Sequence, residues 1–452
     1  MFERLSDEGL AQTSYLIACP RTRAAIVIDP RRDVDAYTAI AARHGLTLAL
    51  AIETHVHADF VSGARELAAV GARIVAGPGA ALRFPFQEAA HRQTLNVGDI
   101  SIEVLHTPGH TPEHISVVVR QPGAPARVFT GDTLFVGAVG RPDLLGAHLA
   151  RELAEQLHDS LFGVLMALAD DVEVYPGHGA GSLCGAGIGN APHTTIAQER
   201  RFNPLLQLTS KAEFVEAVLG DLPETPPYFP RMKQINRDGP AVRGFARGVP
   251  PPPALVAANA TSLADDGALV IDLRSPQAFA AGHPSGAMNI GFGPRVGYWA
   301  GWIVPPASPL VLLASDASQA EDAHRQLLRV GLDDVVGYVD GGFNAWHAAG
   351  GRVSRVELVD ARELRERLRR RERLTVVDVR SPSEWRGGHI DEAINIPVGE
   401  LPQRAADLRG SDPVATVCET GYRSSLASSL LVRAGVQVVN VSDGTAAYRM
   451  LD

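Results

Sequence analysis

Apolar residues along this chain come in short runs that stop abruptly at polar clusters. Residues 14–18 and 24–29 read as strands, 33–44 as a helix, and 47–53 as a strand that runs into Thr54-His55-Val56-His57-Ala58-Asp59. Residues 61–70 predict a further helix, and 101–105, 115–120 and 127–130 predict strands that end beside or lead into other polar clusters. Polar residues crowding the end of a buried strand mark a site rather than a core. A stretch from about 226 to 253, rich in Pro, Gly and Arg and closing with four prolines, reads as a stiff linker.

Beyond that stretch the chain repeats itself. Val270-Ile271-Asp272-Leu273-Arg274-Ser275-Pro276 matches Val376-Val377-Asp378-Val379-Arg380-Ser381-Pro382 at an offset of 106 residues. The match continues without a gap through Gly282-His283 and Gly388-His389, and again through residues 287–290 and 393–396. Each copy alternates apolar strands with helical stretches, which predicts two small α/β domains with parallel sheets. The expected divisions are 1–245, 255–350 and 356–452.

With 452 residues, 45% hydrophobic and 21% charged, the chain has the balance of a globular protein of about three domains. The net charge of -9 is spread along it, and no Lys/Arg-rich block suggests nucleic acid. No run approaches a membrane span, and the first residues lack a signal-peptide core, so the cytoplasm is the expected compartment. Cys19, Cys184 and Cys418 are too few and too far apart for a disulfide framework, so their use is expected to be chemical. A homo-oligomer is compatible with this composition and not required by it.

The polar clusters share a chemistry. His55 and His57 lie on one tight loop with Asp59; His110 follows in Thr107-Pro108-Gly109-His110, Asp132 in Gly131-Asp132, and His178 in Pro176-Gly177-His178. Imidazole nitrogen and carboxylate oxygen suit Zn(II) or Fe(II). A lone histidine at a strand end is more often a core or turn residue. Four such clusters at successive strand ends are a metal site.

In order and wording these clusters resemble the metallo-β-lactamase superfamily over the first ~245 residues, which implies an αββα sandwich. The usual motif is H-x-H-x-D-H, and Phe60 stands where the last histidine belongs. That departure favours one metal over two. Within the superfamily the chain is similar to the persulfide dioxygenases, on His57-Ala58-Asp59-Phe60, residues 140–144, 181–185 and 198–204. The resemblance implies one Fe(II) per chain (Zn being the alternative), held by His55, His110 and Asp132. Substrates would be O2 and a low-molecular-weight persulfide, with glutathione as the expected carrier, and products sulfite and the parent thiol. His57, Asp59 and His178 would then orient ligands or waters, and are the next residues to expect as ligands otherwise. Arg141 either meets an anionic group of the substrate or makes a structural ion pair. Cys184 is either a buried small hydrophobe or a thiol at the mouth of the iron site.

Residues 418–424, Cys418-Glu419-Thr420-Gly421-Tyr422-Arg423-Ser424, follow a strand-like run and precede an expected helix. Backbone N–H groups at a helix start stabilise an anion, here the attacking thiolate, and Arg423 adds positive charge. This loop and Asp378-Val379-Arg380 resemble the rhodanese family. Four residues between Cys418 and Arg423, rather than the five of related phosphatases, favour sulfur transfer, with thiosulfate or sulfite as partners. Ala314 and Gln319 stand opposite Cys418 and Arg423 in the first copy, which is therefore expected to be a scaffold. The functional expectation is a persulfide dioxygenase joined to a sulfurtransferase. Alternatives are a thiolester hydrolase of the glyoxalase II type and a non-enzymatic sulfur carrier.

Overall fold

In the computed structural model, which describes residues 1–220, 222–410 and 412–451, the apolar runs become strands buried on both faces. Tyr15 and Ile17 of the strand Gln12–Ala18 point into one core while Leu16 and Ala18 point into another, as the two-residue strand period requires. The sheet Phe2–Asp7, Gln12–Ala18, Ala24–Ile28, Thr47–Ile52, Arg73–Ala76, Gln87–Glu88 runs in sequence order, antiparallel through its first three strands and parallel thereafter. A second six-stranded sheet faces it, in the order Thr194–Thr195, Glu173–Pro176, Arg127–Gly131, Ile115–Arg120, Ile100–His106, Thr94–Val97.

Ile26, Leu50, Val104, Val117 and Phe129 fill the space between the sheets. Helix Asp35–His44 covers the outer face of the first through Tyr37 and Ala41. Helices Ala147–Asp159 and Lys211–Gly220 cover the second through Leu157 and Phe214. This is the expected αββα sandwich. All four polar clusters follow strand ends: Ile52, His106, Gly131 and Pro176.

Two expectations are corrected. The helix foreseen over residues 61–70 is only Ala64–Ala68, because Ser62 and Gly63 are used to seat the preceding loop. The Pro-rich stretch read as a linker contains the helix Phe229–Asp238. Its proline falls in the first turn, where a missing N–H costs nothing.

Contacts divide the chain into two units, residues 1–250 with 328–331, and 251–327 with 332–452. Within the second unit the duplication is visible strand by strand. One sheet runs Ala254–Leu255, Val335–Val339, Leu310–Leu313, Leu269–Asp272, Met288–Asn289; the other runs Glu357–Val359, Val438–Val441, Val414–Val417, Thr375–Asp378, Ala393–Asn395. Every neighbouring pair in both is parallel. No helix among the described residues is long and apolar enough to cross a membrane.

Candidate metal centre and sulfur loop

His55, His110 and Asp132, drawn from three strand ends, meet in one buried cluster. Nε2 of His110 lies 3.5 Å and Nε2 of His55 3.8 Å from Asp132 Oδ2. The tautomers are set from behind. Nδ1–H of His110 donates to the Arg141 carbonyl at 2.8 Å, which leaves Nε2 as a lone pair. Thr54 Oγ1 gives its hydrogen to Asp29 Oδ2 at 2.9 Å and can therefore only accept from His55 Nδ1, 3.0 Å away. Burial pushes both imidazoles toward the neutral, ligating form.

Asp132 Oδ1 pairs with His178 Nδ1 at 2.7 Å. Burial would raise this carboxyl, but the charge of His178 prevails and holds it well below the usual carboxylate range. His178 in turn spans two acids, with Nε2 2.8 Å from Asp59 Oδ2. Burial alone would lower it; Asp132 and Asp59 push it up to about 10. His57 is engaged elsewhere: Nε2 lies 3.1 Å from Asp29 Oδ1 and 3.4 Å from Glu53 Oε2, and the Phe60 ring covers it at 4.3 Å.

Does this cluster suit a metal ion? Nε2 of His110 and Oδ2 of Asp132 are fully buried without a hydrogen-bond partner among the described residues, an arrangement native cores rarely leave unexplained. Two neutral imidazoles and an ionised carboxylate are the donor set a divalent cation takes, so the residues fit. Asp59, His178 and Cys184 form a second such group, and Asp29, Glu53 and His57 a third. Gly131 is required here for two reasons. Its φ is +48°, and a Cβ would stand 2.5 Å from Thr54 Oγ1 and 2.6 Å from His114 Nε2.

The guanidinium of Arg141 is spent internally, on Asp143 (2.7 and 2.8 Å), the Leu183 carbonyl and Thr225, while its own carbonyl fixes His110. Cys184 is buried beside Asp59 and His178; burial first, then Asp132 and Asp59, push its thiol well up.

Several supporting residues escaped the sequence reading. His114 Nε2 accepts the Asp132 N–H at 3.0 Å, with its ring stacked on His55. Glu113 accepts the Val56 N–H, and Asn236 ties the carbonyls of His57 and Phe60 to the Ser62 N–H. For His114 a signal existed, since it lies four residues after His110 in the same polar run. For Asn236 there was none.

In the second unit, Cys418 sits just past the strand Val414–Val417, 1% exposed, at the start of helix Tyr422–Arg433. Its Sγ accepts the Gly421 N–H at 3.1 Å and lies 3.7 Å from Ser424 Oγ. Gly421 has φ +91°, and a Cβ would strike the Ser442 carbonyl at 1.9 Å, so the loop can close only over glycine. Arg423 is paired with Glu384. In the first copy, Ala314 is buried at the corresponding strand end, and Gln319 accepts the Ser315 N–H. The copies touch at the Cys418 loop, where the Tyr422 hydroxyl donates to the Gly291 carbonyl at 2.9 Å and Ser425 Oγ to Asn289 Oδ1 at 2.6 Å.

Comparison with known proteins finds two families along the chain. A family model described as "Metallo-beta-lactamase superfamily" matches residues 7–178, and one described as "Rhodanese-like domain" matches 256–349 and 360–451. A hydroxyacylglutathione hydrolase of Anaeromyxobacter dehalogenans is 33% identical over 227 residues, covering 44% of this chain and 83% of the relative. A crystal structure described as a metallo-beta-lactamase from Staphylococcus aureus subsp. aureus COL is 32% identical with a TM-score of 0.66, covering 75% of this chain and 98% of that one. The structure of ETHE1 from Myxococcus xanthus is 35% identical with a TM-score of 0.46, covering 52% and 98%.

Proposed function

Because this chain belongs to the metallo-beta-lactamase superfamily and carries two rhodanese-like domains, we propose that residues 1–245 oxidise a low-molecular-weight persulfide with O2 at one iron held by His55, His110 and Asp132. Residues 356–452 transfer sulfane sulfur through Cys418, and residues 255–350 are a non-catalytic module. One observation carries the oxidative reading: the histidines divide their labour. His55 and His110 keep lone pairs toward Asp132 Oδ2, whereas His57 is taken by Asp29 and Glu53 and His178 by Asp59 and Asp132. Phe60 offers no donor at all. Two imidazoles and one carboxylate are the usual protein set for iron(II) oxygenases.

An iron(II) ion bound there would supply the one-electron chemistry that O2 needs to react with a sulfur anion. The overall change is R–S–SH + O2 + H2O → R–SH + SO3²⁻ + 2 H⁺. The chain's own residues prepare the site for it. Thr54 and the Arg141 carbonyl hold the two ligating imidazoles in the correct tautomer, and the His178 proton on Nδ1 keeps Asp132 ionised and oriented. Glutathione is the favoured thiol carrier, in keeping with the name of the Anaeromyxobacter relative.

That name also supports a second reading, hydrolysis of a glutathione thiolester by two metals. Asp59 Oδ1 is buried without a partner among the described residues, and Asp59, His178 and Cys184 stand close enough to share an ion. The test is metal analysis of the purified protein with O2 uptake on glutathione persulfide. One iron per chain and one sulfite per O2 are expected. Two zincs per chain, thiolester turnover and no O2 uptake would reject the dioxygenase.

A further inference from the structure

The charges around the sulfur loop cancel. Arg423, the cation expected to face bound sulfur, gives its two terminal nitrogens to the two oxygens of Glu384 at 2.6 and 2.7 Å. Arg380 is equally committed, to Asp378 at 2.7 Å and Glu419 at 3.0 Å, and Glu419 also takes Arg449. The Arg423–Glu384 pair is partly solvated, with side chains 19% and 37% exposed, and Glu384 Oε2 also accepts the Ser381 N–H in a capping box.

The first copy shows what this pair belongs to. Opposite Cys418, Arg423 and Glu384 it has Ala314, Gln319 and Ala278. It nevertheless keeps the Asp272–Arg274 pair, and Asn289 still bridges the Asp272 and Arg274 carbonyls just as Asn395 bridges those of Asp378 and Arg380. The fold therefore stands without a carboxylate at this position. Nucleophile, cation and carboxylate are absent together.

We propose that Glu384 selects the sulfur donor at Cys418: by neutralising Arg423 it disfavours dianionic donors such as thiosulfate and leaves the loop suited to hydropersulfides. The inference rests on the reading of Cys418 as the sulfur acceptor. With a hydropersulfide, the Cys418 thiolate forms a bond to the terminal sulfur, and the R–S bond breaks with its electron pair: Cys418–S⁻ + R–S–SH → Cys418–S–SH + R–S⁻. With thiosulfate the leaving group is sulfite: Cys418–S⁻ + S–SO3²⁻ → Cys418–S–S⁻ + SO3²⁻. Three negative charges converge at the reacting sulfurs in the second case, and one or two in the first. The Gly421 N–H and the helix start serve both donors alike; only a free cation would favour the dianion.

The test is Glu384→Gln in the full-length protein. Glutamine keeps one oxygen to accept the Ser381 N–H, so the capping box survives, while the charge and one of the two hydrogen bonds to Arg423 are lost. With cyanide as acceptor, kcat/KM for thiosulfate should rise about tenfold and that for cysteamine persulfide change by no more than about twofold, as expected for one unit charge in a partly solvated site. An independent readout is alkylation of Cys418, followed by mass spectrometry of its peptide. The rate with anionic iodoacetate should rise relative to neutral iodoacetamide, and adding Arg423→Gln should return that ratio to the wild-type value. Unchanged donor and alkylation ratios, or a parallel loss of both donors, would overturn the inference. Failure of the wild-type protein to accept sulfur from any donor would instead overturn the reading of Cys418, and this inference with it.

Discussion

Thr54→Val tests whether the metal centre is prepared from behind. The change removes one oxygen and almost no volume. That oxygen joins Asp29 Oδ2 at 2.9 Å to His55 Nδ1 at 3.0 Å, and all three residues are buried. Valine leaves a buried N–H and a buried carboxylate oxygen each short of a bond, at about 1–3 kcal/mol apiece, so unfolding free energy in urea should fall by about 3 kcal/mol. The second consequence is more specific. Without Thr54, nothing fixes the proton of His55 on Nδ1, and Nε2 is no longer held as a lone pair. Loss of such a support weakens metal binding by about 10–100-fold, or about 1.4–2.8 kcal/mol. Anaerobic equilibrium dialysis against Fe(II) measures this directly. Thr54→Ser keeps the hydroxyl and should restore both affinity and stability. A valine variant that binds Fe(II) within about twofold of wild type would refute the reasoning.

Asp132→Ala should abolish O2 consumption while leaving sulfur transfer through Cys418 intact, and Cys418→Ser should do the reverse; oxygen-electrode and cyanolysis assays on both variants check the division. Phe60→His should raise metal content toward two ions per chain, because it supplies the missing imidazole of the motif, next in the chain to Asp59; content that stays at one would show that this residue does not set the number. Asn236→Ala strands the carbonyls of His57 and Phe60 and the Ser62 N–H, and should cost about 3 kcal/mol or more in urea unfolding. In acid, the Arg423 guanidinium and burial act oppositely on Glu384, and the guanidinium wins, lowering its pKa from 4.5 to about 2. A depressed carboxyl stabilises the fold above its unfolded pKa and loses that contribution as the pH falls through the folded one. The stability gap between wild type and Glu384→Gln should therefore be constant above about pH 4.5 and close toward pH 2; a gap that persists at pH 2 would refute the ion-pair account.

What could be read from the sequence, and what could not, follows from the range of the interactions. The clusters holding His55, His110, Asp132 and His178 were legible as a candidate site because each lies where an apolar run ends, and the sandwich brings strand ends together; the choice of His55, His110 and Asp132 among them came from the family resemblance. The duplicated copy was legible because its strands repeat residue by residue. Asn236 was not, since it acts on a loop 174 to 179 residues away. For Arg141 a structural ion pair was one of the two readings, but its contact with Thr225 across 84 residues was not legible. Asp29 and Glu53 looked like the polar ends of ordinary strands. Only the folded chain shows them closing on His57.

The same reasoning explains why a family signature misleads about chemistry in the second unit. Asp378 and Arg380 are the residues that most clearly mark the module, yet Arg380 returns its N–H and guanidinium to Asp378, and both carbonyls are tied by Asn395. Asp272, Arg274 and Asn289 form the same closed circuit in the copy without a nucleophile. A circuit of this kind fixes the strand end over which the next loop must fold, and it does so whether that loop carries sulfur or not. Sequence identity in the circuit therefore measures how the sheet is held together. Among the positions outside it where the copies differ are those of Cys418, Arg423 and Glu384, where the first copy has Ala314, Gln319 and Ala278. The first copy kept the part that folds and still presses Asn289 and Gly291 against the sulfur loop of the second. Its persistence needs no catalysis to explain it.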